Sequence, residues 1–68
     1  MTRTLVTSSQ IKSIGYDPET QKLEVEFNKG IYEYSDVPQR VYEELMAAPS
    51  IGAYFNDNVR FDYEYRKL

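Results

Sequence analysis

A chain of 68 residues forms one domain with a small interior, because a domain of this size buries only about 60% of the surface that its unfolded chain exposes. It contains no cysteine and no histidine, which excludes disulfide bonds and metal sites built from thiolates or imidazoles. Eleven acidic and eight basic residues give a net charge of −3, and the scattered basic residues argue against a protein that follows a long nucleic-acid backbone. Since association with further copies is the remaining common support for so small a domain, we expect a homo-oligomer.

The first eight residues show no hydrophobic period and predict a loose arm ahead of a single domain at residues 9–68. The N-terminus lacks the apolar core of a signal peptide, and no apolar run approaches the length of a membrane span. We therefore expect a cytoplasmic protein that makes no membrane contact.

Residues 10–34 predict three short antiparallel strands. Apolar and charged side chains alternate over residues 22–27, which is the period of a half-buried strand. Turns are predicted at DPET, where proline suits the second position, and at KG. In the first hairpin, the pairing of Tyr16 with Leu23 places Asp17 opposite Lys22 and Ile14 opposite Val25, and both of these pairings are favourable.

In the second hairpin, a two-residue KG loop places Phe27 opposite Tyr32 and Val25 opposite Tyr34. This register collects the large rings on the face that the helices must cover, whereas a shift by one residue would send both tyrosines to the other face. Tyr34 is therefore expected in the core. Tyr32 lies nearer the end of the sheet and is equally suited to the core and to contact with a ligand.

A first helix is predicted from Pro38, a residue that is tolerated in a first turn, with Ser35 or Asp36 available to cap its free amides. Its buried face is marked by apolar residues at helical spacing, Val41, Leu45 and Ala48. Pro49 ends this helix.

Ser50 can cap a second, short helix with one apolar stripe, formed by Ile51, Tyr54 and Phe55. Beyond it, aromatic and charged residues alternate again, which predicts a fourth strand or an extended tail at Phe61, Tyr63 and Tyr65. The predicted fold class is α+β: a small antiparallel three-stranded meander followed by two short helices packed on one face, with a C-terminal extended segment or fourth strand.

The ordered segments SSQIKSIGYDPETQKLEVEF, YEY, VPQRVYEEL, SIGAYFNDNVR and YEYRKL resemble the KTSC domain. This domain is named for its occurrence at the C-terminus of some lysyl-tRNA synthetases, and it is common as a stand-alone protein in bacteria and phages. The resemblance extends from Ser8 to Leu68. It implies a fold and a role in RNA binding, and it carries no catalytic residues to this chain.

One position departs from the family pattern. Many relatives carry glycine where this chain has Gln21, at the end of the DPET turn. Because a non-glycine residue rarely adopts a positive φ, we expect a turn of a different type here.

Catalysis has little support in the sequence, because proton transfer would fall to carboxylates, tyrosine or lysine. The clustered carboxylates are Glu24, Glu26 and Glu33, on the polar face of the sheet. The predicted register sets Glu26 opposite Glu33, a pair that could share a proton or hold a cation, although solvated surface charges are commoner. We predict a protein that is not an enzyme and uses no cofactor.

The preferred hypothesis is a homo-oligomeric module that binds a nucleotide or a nucleotide-like signal and could serve to sequester it. Tyr16, Tyr32 and Tyr54 are the candidate stacking partners for a base. Lys12 and Arg60 are the candidate phosphate ligands. We expect the pocket to lie where subunits meet, since a single small chain has little interior to enclose a ligand.

Each of the two cations also has a purely structural interpretation. The predicted register places Lys12 on the same face of the sheet as Phe27 and Tyr32, so its stem could pack on these rings while its ammonium group reaches water. Arg60 could interact with the negative end of the second helix or pair with Asp57.

Two other classes of function stay open. RNA binding is favoured by the tyrosines, because single-stranded bases stack on aromatic rings, and is opposed by the net charge. A protein interaction module without a small ligand is the third possibility.

Overall fold

One antiparallel sheet of five strands, with two helices on one of its faces, forms the structure. The computed structural model describes residues 2–68. The strands lie in the sheet in chain order, and every neighbouring pair is antiparallel. The elements are β1 (Arg3–Leu5), β2 (Ile11–Asp17), β3 (Lys22–Phe27), β4 (Gly30–Tyr34), α1 (Gln39–Ala47), α2 (Ile51–Asn58) and β5 (Tyr65–Lys67). The α+β class is confirmed, with five strands rather than three.

The two additional strands form the edges of the sheet. β1 lies within the segment that we expected to be a loose arm, and it pairs with β2 through Arg3 opposite Gly15. β5 pairs with β4 through Tyr65 opposite Tyr34, so the C-terminal segment becomes a strand of the same sheet. Met1, the first residue of the expected arm, lies outside the described residues.

The predicted register of the first hairpin is confirmed, with Tyr16 opposite Leu23. A bulge then interrupts β2, because Ile11 pairs with Phe27 and Ser13 with its neighbour Glu26, which leaves Lys12 as the extra residue. Ile11 is consequently buried and Lys12 is exposed. The placement of Lys12 on the ring-bearing face was therefore wrong, because simple alternation does not anticipate a bulge.

The predicted register of the second hairpin was wrong by two residues. Phe27 lies opposite Gly30 and Val25 opposite Tyr32, so the loop is Asn28 and Lys29. Gly30 has φ +148, a conformation that L side chains rarely adopt, and this glycine starts β4 instead of forming part of the loop. Because a shift of two residues preserves the alternation of faces, the rings still collect on the helix-covered face.

The two helices are stabilised differently at their starts. Pro38 precedes α1 without a side-chain cap, so the predicted capping by Ser35 or Asp36 was wrong; Asp36 instead has φ +59. For α2 the prediction is confirmed, since Ser50 Oγ accepts a hydrogen bond from the Ala53 amide at 3.3 Å.

The core lies between the ring-bearing face of the sheet and the helices. Its buried side chains come from three strands, both helices and the segments that follow β4 and α2: Ile11, Ile14, Leu23, Val25, Tyr34, Val37, Val41, Leu45, Phe55 and Val59. Within residues 2–68, no helix has the length and apolar character needed to cross a membrane.

Gln21 occupies the left-handed conformation, with φ +57, so the expectation of a turn that avoids positive φ was wrong. Two backbone hydrogen bonds hold it there. Its amide donates to the Asp17 carbonyl at 2.8 Å, and its carbonyl accepts from the Val37 amide at 2.9 Å. These two bonds connect the DPET turn with Val37, which lies just before α1. They explain why Gln21 keeps a strained φ.

We expect Gln21→Gly to raise the free energy of unfolding by up to about 1 kcal/mol. Glycine removes a left-handed penalty of about 1–2 kcal/mol, while its greater freedom in the unfolded chain offsets part of the gain. Thermal and urea unfolding measure the change. Thr20→Gly, in the same exposed turn but without a positive φ, is the control and should lower stability. Equal destabilisation by both variants would contradict this account.

Candidate functional site

An open groove of about 550 Å³ lies between one end of the sheet and α2. Its walls come from the segment before β2, the β3–β4 turn, β4, the end of α2 and β5. Six aromatic rings line it, those of Phe27, Tyr32, Tyr34, Phe55, Phe61 and Tyr65. The groove is thus an aromatic surface supplied by a single chain.

The inner rings pack edge to face around Phe55. The ring centroid of Phe55 lies 5.3 Å from that of Phe27 and 5.4 Å from that of Tyr34. Phe27 also meets Tyr32 edge to face, at 5.7 Å. Because these rings form part of the core or pack directly against it, the base of the groove is rigid before any ligand arrives.

The outer rings are open to solvent. Phe61 is 84% exposed and Tyr65 is 59% exposed, which is unusual for two large rings that line the same groove. Tyr65 is oriented by tilted contacts with Tyr32 and Tyr34, at 5.7 and 5.5 Å. The core placement of Tyr34 is confirmed, while Tyr32 is half-buried and reaches the groove.

The charge of the groove differs from that of the protein as a whole. Lys29 and Arg60 line it, and no aspartate or glutamate of residues 2–68 does, although the chain has eleven acidic residues. The other polar side chains are neutral: Ser9, Gln10, Asn28 and Asn56. The groove is therefore suited to an anion.

Arg60 is positioned by neutral contacts. Its Nη1 donates to Asn56 Oδ1 at 3.4 Å, and its guanidinium carbon lies 5.4 Å from the centre of the Phe61 ring. In the described part of the chain no carboxylate comes within ion-pair distance of Arg60, so the alternative pairing with Asp57 is absent there. The guanidinium group keeps its capacity to bind a phosphate.

Tyr34 contributes a neutral hydroxyl group to the groove. Burial is the main cause that raises the pKa of Tyr34 to about 12; the nearby Tyr65 and Tyr32 contribute in the same direction, and Arg60 opposes the shift. The hydroxyl therefore stays protonated at neutral pH and can donate a hydrogen bond.

Of the five predicted site residues, Tyr32 and Arg60 line the groove. Tyr16 lies elsewhere: its ring stacks on Tyr42 with centroids 4.8 Å apart, and its hydroxyl donates to the Val37 carbonyl at 2.6 Å. Burial raises the pKa of Tyr16, and the charge of Asp17 adds to this effect. These contacts give Tyr16 a structural role.

Tyr54 and Lys12 are also outside the groove. Tyr54 donates to Glu44 Oε1 at 2.8 Å and so joins α2 to α1. This hydrogen bond is the main cause of the lowered pKa of Glu44, while burial is the main cause of the raised pKa of Tyr54. Lys12 is the exposed residue of the β2 bulge.

Lys29, Phe61 and Tyr65 are among the groove residues that sequence reasoning did not assign to the site. The alternation of Phe61 and Tyr65 with charged residues was visible, but the side chain that each would meet depends on the pairing of β5 with β4. Lys29 was predicted in the turn of the second hairpin. Its position relative to the rings was not predicted, because the register of that hairpin was wrong by two residues.

The carboxylates lie on the opposite face of the sheet. Glu24, rather than Glu26, is opposite Glu33, which corrects the predicted pair. Arg3 Nη1 lies 2.7 Å from a Glu24 oxygen, and Arg66 Nε lies 3.0 Å from a Glu33 oxygen. Each carboxylate of the pair therefore has its own arginine partner.

The family model of the KTSC domain matches residues 7–63, and the chain belongs to this family. A KTSC domain protein of Yersinia pestis, known from its crystal structure, is similar with a TM-score of 0.97 and 40% sequence identity. The match covers 98% of this chain and 96% of the other. The five-stranded architecture with two helices is therefore shared by an experimentally determined relative.

Two curated relatives show the settings in which similar sequences occur. A protein of Stutzerimonas stutzeri is 49% identical over 57 residues, which are 82% of this chain and 80% of that protein. A lysine–tRNA ligase of a Nostoc species is 48% identical over 61 residues, which are 88% of this chain and 11% of the ligase. Similar segments thus occur both in proteins of comparable length and as a small part of a much longer enzyme.

Proposed function

We propose that this protein is a binding module for a nucleotide or a nucleotide-like molecule, which it holds in the aromatic groove and does not transform. The observation that supports this best is the combination of solvent-exposed rings with two cations and no carboxylate, in a protein whose net charge is −3. A nucleotide needs a flat apolar partner for its base and positive charge for its phosphate, and the groove offers both.

The base has two accessible rings to stack on. Tyr65 and Phe61 are the most exposed aromatic side chains of the groove, and Tyr32 lies beside Tyr65. Arg60 adjoins Phe61, so a base stacked on this ring would carry its phosphate close to the guanidinium group. Lys29, in the β3–β4 turn, supplies a second charge.

The chemistry of the groove favours binding over catalysis. Tyr34 is held neutral by its raised pKa, which opposes a role as a general base near pH 7. The half-buried carboxylates Glu24 and Glu33 lie on the other face of the sheet, in ion pairs. These placements support a role in capture or sequestration.

RNA is the second candidate ligand, and one comparison favours it. A relative whose name describes it as a lysine–tRNA ligase contains a segment that is 48% identical to this chain. The groove is open at the surface, and exposed rings stack single-stranded bases as readily as free nucleotides. RNA binding would show a steep dependence on salt, whereas a mononucleotide would show a shallow one.

We also propose that the chain is a homo-oligomer. Leu5 is 83% exposed and Leu68 is 55% exposed; they lie on or beside the two edge strands, and such apolar positions are suited to contact between copies. Light scattering at high micromolar concentration should give a mass above 8.0 kDa. The mass of a single chain at that concentration would contradict this proposal, while the groove, supplied by one chain, would stand.

We expect Arg60→Ala to weaken nucleotide binding by roughly 10- to 100-fold, because a charge-assisted hydrogen bond contributes about 1.5–3 kcal/mol. Stability should change little, since Arg60 is exposed. Titration calorimetry with linear and cyclic mononucleotides measures affinity and the number of ligands per chain.

Arg40→Ala is the matched control. It removes the same charge from an exposed arginine, but Arg40 lies on α1 in an exposed pair with Glu44 and does not line the groove. Arg40→Ala should bind like the parent. An equal loss in both variants would show that binding depends only on the net charge of the protein. If the parent bound neither nucleotide nor RNA, a protein interaction module would be the remaining hypothesis.

A further inference from the structure

A second cavity of about 370 Å³ adjoins the aromatic groove. Three residues line both spaces, Ser9, Gln10 and Asn56, so the two are adjacent and share these residues as a common border. The second cavity has no aromatic and no charged side chain among its lining residues. Its polar side chains are hydroxyls and amides, and the two spaces therefore suit different parts of one ligand.

Two serines of the second cavity are already used as hydrogen-bond acceptors. Ser8 Oγ accepts from the amides of Gln10 and Ile11, at 3.3 and 3.4 Å. Ser50 Oγ accepts from the Ala53 amide at 3.3 Å. With their oxygens engaged in this way, the hydroxyl protons of Ser8 and Ser50 are available to acceptors of a ligand, such as ribose hydroxyls.

Arg60, one of the two cations of the groove, lies beside a residue that borders both spaces. Asn56 lines both, and Arg60 donates to its side-chain oxygen at 3.4 Å. An anion held by Arg60 beside Asn56 would have the aromatic rings on one side and the hydroxyl groups on the other. This is the arrangement of a phosphodiester with a nucleoside on each side.

We propose that the ligand is a dinucleotide unit, an inference that rests on the nucleotide-binding function proposed above. One base stacks in the aromatic groove, the phosphodiester lies at the junction beside Arg60 and Asn56, and the second ribose occupies the hydroxyl-lined cavity. The unit can be a free dinucleotide or two successive nucleotides of a single strand.

Gly52 offers a selective way to fill the second cavity. A Cβ atom added there would lie 3.6 Å from both Gln10 Oε1 and Ser8 Oγ, which is ordinary van der Waals contact, and φ is unstrained. The Cβ atom that Gly52→Leu adds therefore fits, and the added side chain narrows the second cavity. Gly52 does not line the aromatic groove. Asn58→Leu, on the same helix and outside both spaces, is the control.

Calorimetry would compare adenosine monophosphate with the dinucleoside monophosphate ApA. The parent and Asn58→Leu should bind ApA about tenfold more tightly than the mononucleotide. Gly52→Leu should lose this preference and keep the parent affinity for the mononucleotide. Thr7→Ala, which removes an exposed hydroxyl that lines only the second cavity, should reduce the preference even if Gly52→Leu proves unstable.

Equal affinities of the parent for the two ligands, or a preference that survives both Gly52→Leu and Thr7→Ala, would overturn the dinucleotide inference and leave the nucleotide site intact. No binding of either ligand would overturn both. A single-stranded hexanucleotide shows whether the dinucleotide unit is a free dinucleotide or part of a longer strand. Much tighter, strongly salt-dependent binding of the hexamer would identify a strand, and an affinity equal to that of ApA would identify a free dinucleotide.

Discussion

The packing of Phe55 against the sheet is the contact on which both the core and the groove depend. Its ring is 2% exposed and meets Phe27 and Tyr34 edge to face, so it fixes α2 to the strands. Because Asn56 and Arg60 lie close behind it in the chain, the same contact places the amide and the guanidinium group beside the rings. Loss of this ring would create a cavity in a domain with few buried side chains and would also release the cation of the proposed site.

The sheet separates the ion-paired carboxylates Glu24 and Glu33 from the cations of the groove. On the face away from the helices, one row of neighbouring residues crosses all five strands: Arg3, Gly15, Glu24, Glu33 and Arg66. Gly15 has no side chain, so Arg3 reaches across β2 to Glu24. Glu24 and Glu33 are paired with arginines on this face, while the described residues that line the groove on the other face are cationic or neutral. An acidic protein can in this way present a site for an anion.

The sequence predicted the features that depend on local pattern. The alternation in β3, the spacing of Val41 and Leu45, and the cap at Ser50 each identify an element without knowledge of the rest of the chain. The groove depends instead on contacts between distant segments, because Tyr65 lines it only through pairing with Tyr34. The bulge at Lys12 and the two-residue shift at the β3–β4 turn are not visible in a simple alternation, so Lys12 was assigned to a site that it does not reach. Tyr16 and Tyr54 were misassigned because their partners, Tyr42 and Glu44, belong to another element.

The central claim is that a nucleotide binds in the aromatic groove of the single chain. Amide chemical-shift mapping by nuclear magnetic resonance during titration with a nucleotide tests this most directly. The account predicts the largest shifts at Asn28, Lys29, Arg60 and Phe61, and almost none at Gln21 and Val37, outside the groove. Shifts concentrated at Gln21 and Val37 or on the ion-paired face of the sheet, or no shifts with any nucleotide, would contradict it.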